Sequence, residues 1–306
     1  MLISGALVLA MQIGPPVLAE EDSAATALEQ FHGQVQESVR DAARLLDRFF
    51  ADAEYETEQN TSSLRLRFDT DLEDREKLSF RFSPRLRLQL PGTERTVLFE
   101  LQAESETVYE DNSFDRTGFF ERDDDDDGFE LRLRYFTSKG ETLIVPEVGL
   151  GFDDGSPQVF VGGRIRQFWD SNDDWTLLAS EQVRMNSDRG LESITRLQAD
   201  ILLGEDNLFR THFNVNWRED EPGLSYGPGI GLFKPLDERS AVGFEWSALF
   251  ETKPSHELEE IIGAIRYRRR VVTDWSIIEI APRIMFAEED NYSASYGILL
   301  RLDLEF

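Results

Sequence analysis

Cysteine is absent from all 306 residues. That excludes disulfides, thiolate metal sites and a lipid-modified N-terminal Cys. Long apolar runs are absent too: no segment holds about 20 consecutive apolar residues, so no helix can cross a bilayer. Positive charge is scarce, with 32 Lys and Arg against 60 Asp and Glu and a net charge of −28. Phosphate binding needs clustered positive charge, so nucleic acid is excluded as a partner.

The chain opens on an apolar stretch, Leu2 to Met11, too short to span a bilayer. Val17-Leu18-Ala19 then places small residues where a signal peptidase cuts. Residues 1–19 are therefore expected to be a signal peptide removed before Glu20, although no Lys or Arg precedes the apolar stretch. An exported chain without a membrane helix is periplasmic, secreted or a β-barrel.

From Ser23 to Ala53, Leu28, Phe31, Val35, Val39, Ala42, Leu45, Leu46 and Phe49 recur at helical spacing. Residues 20–59 are thus expected to form a periplasmic amphipathic helix and linker. The apolar face could dock on a periplasmic protein or cover the mouth of a barrel. Its mixed charges and excess of acid argue against tight binding to anionic lipid.

The remainder alternates with a period of two, the mark of strands with one face in an apolar medium. Tyr292, Ala294, Tyr296, Ile298, Leu300, Leu302, Leu304 and Phe306 share one face of the last run. Ser293, Ser295, Gly297, Arg301, Asp303 and Glu305 share the other, with Leu299 an exception. The spacing predicts 14 strands, at 60–72, 78–90, 96–110, 129–136, 142–152, 159–168, 175–186, 191–203, 208–218, 224–233, 241–251, 258–270, 275–286 and 292–306. The runs 142–152 and 175–186 alternate least clearly, so 12 strands is the other count.

This is an all-β reading: a transmembrane, antiparallel, up-and-down β-barrel over residues 60–306. An even strand number puts both barrel ends on the periplasmic side. A soluble sandwich would also alternate, but with Lys, Thr and Ser on its wet face. Here the four lysines, Lys77, Lys139, Lys234 and Lys253, are all expected in turns, and the basic strand residues are arginines.

The helix with Arg44-Leu45-Leu46-Asp47-Arg48-Phe49-Phe50, then Arg65-Leu66-Arg67, Tyr267-Arg268-Arg269-Arg270, Asp274-Trp275 and Pro282-Arg283 resembles a group of proteobacterial outer-membrane proteins of similar length. The resemblance spans nearly the whole mature chain. It implies an outer-membrane barrel and carries no activity or catalytic residue. The terminal segment, with Tyr296, Leu302, Leu304 and Phe306, resembles the signal by which barrel-assembly machinery recognises such chains.

If the polar strand faces line a lumen, it is densely charged. Arg65, Arg67, Arg81, Arg85 and Arg87 come from the first two strands, with Glu100 and Glu104 on the third. Arg132, Arg134, Arg164, Arg166 and Arg210 follow, then Glu245, Arg266, Arg268 and Arg270. Glu279, Arg283, Arg301 and Asp303 complete the set. Pairing Leu90 with Val97 would place Arg87 opposite Glu100 and Arg81 opposite Glu106. Such opposed charges could select solutes in a water-filled pore, or brace a lumen that conducts nothing.

The function expected is a porin-like passive channel for small charged hydrophilic solutes. The alternative is a non-conducting binding or assembly platform whose helix docks a partner or plugs the barrel. Expected partners are outer-membrane lipid, lipopolysaccharide and the assembly machinery. No cofactor is expected. The Asp123–Asp127 run before Gly128 matches the opening of a calcium loop, but position 134, where the closing Glu belongs, is Arg134. An open divalent site, divalent bridging to lipopolysaccharide phosphates and a solvated acidic loop are its remaining readings. His212 points inward beside Asn214 and Asn216 with no Ser two residues away, which disfavours a lipid hydrolase.

Overall fold

The computed structural model of the chain describes residues 62–74, 78–89, 97–104, 128–139, 141–153, 156–171, 175–204, 207–271 and 275–306. The signal-peptide and helix readings, the Arg81–Glu106 pairing and the acidic run at 123–127 fall outside these residues.

The described elements are all strands: β1 (Ser63–Glu73), β2 (Ser79–Gln89), β3 (Val97–Glu104), β4 (Gly128–Tyr135), β5 (Thr137–Lys139), β6 (Thr142–Asp153), β7 (Ser156–Ser171) and β8 (Trp175–Asn186). They continue with β9 (Gly190–Leu203), β10 (Asn207–Arg218), β11 (Ser225–Asp237), β12 (Ser240–Glu251), β13 (Glu257–Arg270), β14 (Ser276–Ala287) and β15 (Ser295–Glu305). β4 and β5 are one crossing interrupted at Phe136, since both pair with β6. The sheet therefore has fourteen crossings, each antiparallel to its neighbours.

Closure comes from β1 against β15, in register from Arg65↔Glu305 to Glu73↔Gly297. Leu64 N donates to Phe306 O at 3.0 Å, and Phe306 N donates to Leu64 O at 2.9 Å. Closing the sheet leaves no open edge of unpaired backbone groups, the condition for a β-structure to sit in lipid. The runs at 142–152 and 175–186 are the full-length strands β6 and β8, so the count is fourteen rather than twelve.

Tight connections follow from local chemistry. Gly190 and Gly204 adopt φ of 77° and 75° where two hairpins reverse, conformations that a Cβ would strain. Lys139 and Lys234, expected in turns, instead lie within β5 and β11. Both sit near strand ends, where strands run past the apolar belt into water.

Facing outward is a belt of exposed Phe, Leu, Ile and Val, including Phe80, Phe82, Val161, Ile165, Leu232 and Ile265. Aromatic rings gather toward both rims. Trp275 and Phe306 meet at 4.9 Å at one, and Tyr226 stacks on Phe250 at 5.1 Å at the other. Amphipathic rings favour the two membrane–water boundaries. The barrel-closing row Tyr296, Leu302, Leu304 and Phe306 belongs to this outer surface.

One side chain breaks the belt. Glu181, midway along β8, faces outward and accepts hydrogen bonds from Ser193 Oγ at 2.6 Å and Thr195 Oγ1 at 2.5 Å, both on β9. These hydroxyls occupy part of the acceptor capacity that lipid leaves unfilled.

Candidate functional site

The inner wall is the candidate site, and pairing register sets its chemistry. Residues opposite one another on adjacent strands point to the same face, so one row of the sheet can be followed around the barrel. One such row reads Asp69↔Arg301↔Glu279↔Arg268 across β1, β15, β14 and β13. Another reads Arg87↔Glu100↔Arg132 across β2, β3 and β4. Signs alternate along both.

Side-chain geometry turns these rows into two networks. In the first, Glu100 is shared by three guanidiniums: Arg134 at 2.9 Å, Arg87 at 3.3 Å and Arg85 at 3.6 Å. Arg134 also meets Glu147 at 3.1 Å, and Arg184 reaches Glu147 from β8 at 3.1 Å. Arg132 holds Glu130 with Nη2 at 2.7 Å, and Arg164 donates to Gln182 at 3.1 Å.

In the second network, Glu279 accepts from Arg266 at 2.5 Å and forms an ion pair with Arg268 at 3.0 Å. Arg266 extends to Glu245 at 3.2 Å, and Arg268 to Asp303 at 3.3 Å. Asp303 also takes Arg65 at 3.0 Å and Arg67 at 3.4 Å. Beside it Arg301 grips Asp69 with two 2.7 Å bonds. A pair and a triad stand apart: Arg210 forks onto Asp200 at 2.8 and 2.7 Å, and Arg283 bridges Asp71 at 2.7 Å and Glu73. The planar guanidinium suits such bidentate and shared contacts better than an ammonium would.

Arg81 and Arg270 also lie on the inner face, Arg81 opposite Asp69 and Arg270 opposite Ile277. Arg166 is inward on β7, opposite Ser180. The Glu104 side chain lies outside the described set. Glycine makes room for large inward groups: a Cβ on Gly149 would fall 2.1 Å from the Phe160 ring, and one on Gly229 would fall 2.2 Å from His212 Nε2. Arg184 in turn sits 4.4 Å over the face of Phe160. His256 lies at the far rim against the Tyr226 hydroxyl.

Two inward features are not among the sequence-based candidates. Arg184 sits in a run where Ser180-Glu181-Gln182 hides the alternation, although Gln182, Arg184 and Asn186 do alternate with Val183 and Met185. The second feature is apolar. Leu98, Phe136, Leu143, Val145, Phe168 and Leu178 pack together on the inner face of β3 to β8, all buried. Leu208, Phe233 and Ala241 form a second inner cluster with Leu202. A wholly polar lumen was expected; instead part of it is a small hydrophobic core.

No protein-family model matches the sequence, and no curated protein is similar to it. Solved structures similar in shape include a loop-deleted OmpT, an outer-membrane protein of Vibrio cholerae, at TM-score 0.47 and 9% identity over 80% of this chain and 98% of that one. An anion-selective porin from Comamonas acidovorans is similar at TM-score 0.46 and 8% identity, over 80% and 99%. A bacterial polysaccharide outer-membrane secretin is similar at TM-score 0.47 and 8% identity, over 81% and 99%. A closed antiparallel barrel, apolar outside with aromatic rims and charged inside, defines this chain as a transmembrane β-barrel of the outer-membrane type.

Proposed function

We propose that the protein is a passive channel for small charged hydrophilic solutes. The observation that carries this reading is the inner wall itself, where charged side chains of both signs alternate in register from β1 through β15 and β14 to β13 and from β2 to β4. Such a wall replaces part of a permeating solute's hydration and gives it a field to follow. Planar-bilayer recording of the mature chain, residues 20–306, tests the reading. Discrete conductance steps are expected, and their absence both with and without residues 20–59 would reject an open pore.

A second reading has one observation in its favour: Glu100 and Glu279 are each only 1% exposed. Charges so enclosed brace the barrel, which would then serve as a non-conducting platform. In that case residues 20–59 would carry the function, through the face with Leu28, Phe31, Val35, Val39, Leu45, Leu46 and Phe49. Photo-crosslinking in cells from Phe31 or Val35 separates the cases, since a platform predicts a periplasmic protein as the product.

A further inference from the structure

Charge on β1 is sorted along its length. Its inward residues run Arg65, Arg67, Asp69, Asp71, Glu73 from the rim holding the barrel's two ends to the far rim. β2 adds Arg85 directly opposite Arg65. The balance of the two networks is therefore a balance over the whole wall, not at each height.

What water can reach sharpens this sorting. Near the first rim, the Arg65 and Arg67 side chains are 15% and 17% exposed, whereas their shared partner Asp303 is 5% exposed. Arg85 is 12% exposed and its partner Glu100 is 2%. These three guanidiniums are more exposed to the lumen than the carboxylates they pair with, and Glu305 lies opposite Arg65 at the rim itself. Toward the far rim the order inverts: Asp71 and Glu73 are 14% and 11% exposed, with Arg283 behind at 7%. Arg81 lies between the two zones, opposite Asp69. Beginning on β3 beside β2, the apolar cluster from Leu98 to Leu178 fills space at the β3–β8 wall. The sorting belongs to the β1–β2 side, since on β9 the Asp200 carboxylate, 14% exposed and forked by Arg210, lies toward the first rim.

We infer that the water-filled passage runs along β1 and β2 and selects zwitterionic solutes, specifically short oligopeptides in extended form. The inference rests on the channel reading above. A simple anion is attracted at Arg65, Arg67 and Arg85 but repelled at Asp71 and Glu73. A simple cation meets the reverse. A solute carrying both charges is favoured in both zones at once. Arg67 and Asp71 are four residues apart, about 13 Å along an extended strand. An extended peptide of about four residues spans that distance from its ammonium to its carboxylate. It would lie with its carboxylate toward Arg65, Arg67 and Arg85 and its ammonium toward Asp71 and Glu73.

Liposome swelling with the full mature chain tests this, using glycine, tetraalanine with free termini, and tetraalanine blocked at one or both termini. Free tetraalanine should enter about threefold faster than the doubly blocked peptide, the effect of roughly one RT of screened attraction. Peptides blocked at one end should be slower than the free peptide. Both Arg65→Gln/Arg67→Gln and Asp71→Asn/Glu73→Gln should bring free tetraalanine down to the blocked rate, while Glu181→Gln on the outer wall leaves it unchanged. Equal rates for free and blocked peptides, or fastest entry of a singly charged one, would overturn the inference while leaving the channel intact. Failure of every solute, glycine included, would overturn both. If a double variant does not fold, the comparison of peptides on the unaltered protein still decides.

Discussion

Two stretches of the inner wall solve the same problem in opposite ways. From β12 through β15 to β1, ion pairs tie the inner face across strands, in the chain from Glu245 through Arg266, Glu279 and Arg268 to Asp303, and the apolar set beside it is small, Ile262 and Ala264 with Met285. Between β3 and β8, charged rows share the wall with a packed set of Leu, Val and Phe. Both stretches obey one alternation and both present an apolar outer face. A barrel's inner face therefore needs only to be satisfied, by partners or by packing. Where it is packed, volume is taken from the lumen; where it is charged, the field remains available to a solute.

Removing one central carboxylate should break the charged stretch most severely. Glu279→Ala leaves Arg266 and Arg268 without their shared acceptor, and a buried charge deprived of its partner costs about 3–5 kcal/mol. Urea unfolding of the refolded barrel reads that loss. A change under about 1 kcal/mol would mean that water already solvates those guanidiniums and that the two stretches do not differ.

The packed stretch should respond less. Leu143→Ala opens a cavity among Phe136, Val145, Phe168 and Leu178, at a cost of about 2–3 kcal/mol. That is the lower part of the usual range, because neighbouring arginine stems can settle into the gap. The same urea titration measures it, and a negligible effect would show that the cluster is loosely packed.

The outer wall offers a third contrast. Glu181→Leu replaces a carboxyl in the apolar belt and should raise the unfolding free energy by about 1 kcal/mol, since acidic groups at mid-belt cost less than Arg or Lys do. A loss of stability would instead make the bonds from Ser193 and Thr195 net favourable in lipid.

The smallest effect on a finished barrel is expected at Phe306. Phe306→Asp puts a charge near the membrane boundary at about 0–1 kcal/mol, so refolding in detergent should barely change. In cells the outcome should differ sharply, with most of the protein lost from the outer membrane, because the recognition segment is read before folding. Normal outer-membrane levels would remove that role from the last strand.

Much of this is legible in the residues alone. Runs such as Leu-Arg-Leu-Arg and Phe-Glu-Leu-Gln state which face is wet. Summed over the chain, they define the strands and even the register that sets Arg87 against Glu100. The reading failed where polarity and direction part company. Glu181 points to lipid, Leu98 and Phe168 point inward, and Arg184 sits in a run that its neighbour Glu181 obscures. Period-two alternation assigns a face by polarity, so a side chain whose polarity contradicts its face is invisible to it.

Most strand positions, the faces of the regularly alternating strands and the presence of both charge signs on the inner face were determined by the sequence alone, because alternation is a local property of an extended backbone. Tertiary structure decided the rest. Closure of β1 on β15 brings Arg65 and Arg67 to Asp303, partners separated by more than two hundred residues. Curvature packs Leu98 against Phe136 and fills one side of the lumen. Along β1 and β2, solvent access then exposes guanidiniums toward one rim and carboxylates toward the other. These depend on which side chains meet across the barrel, and no local pattern along a strand contains that information.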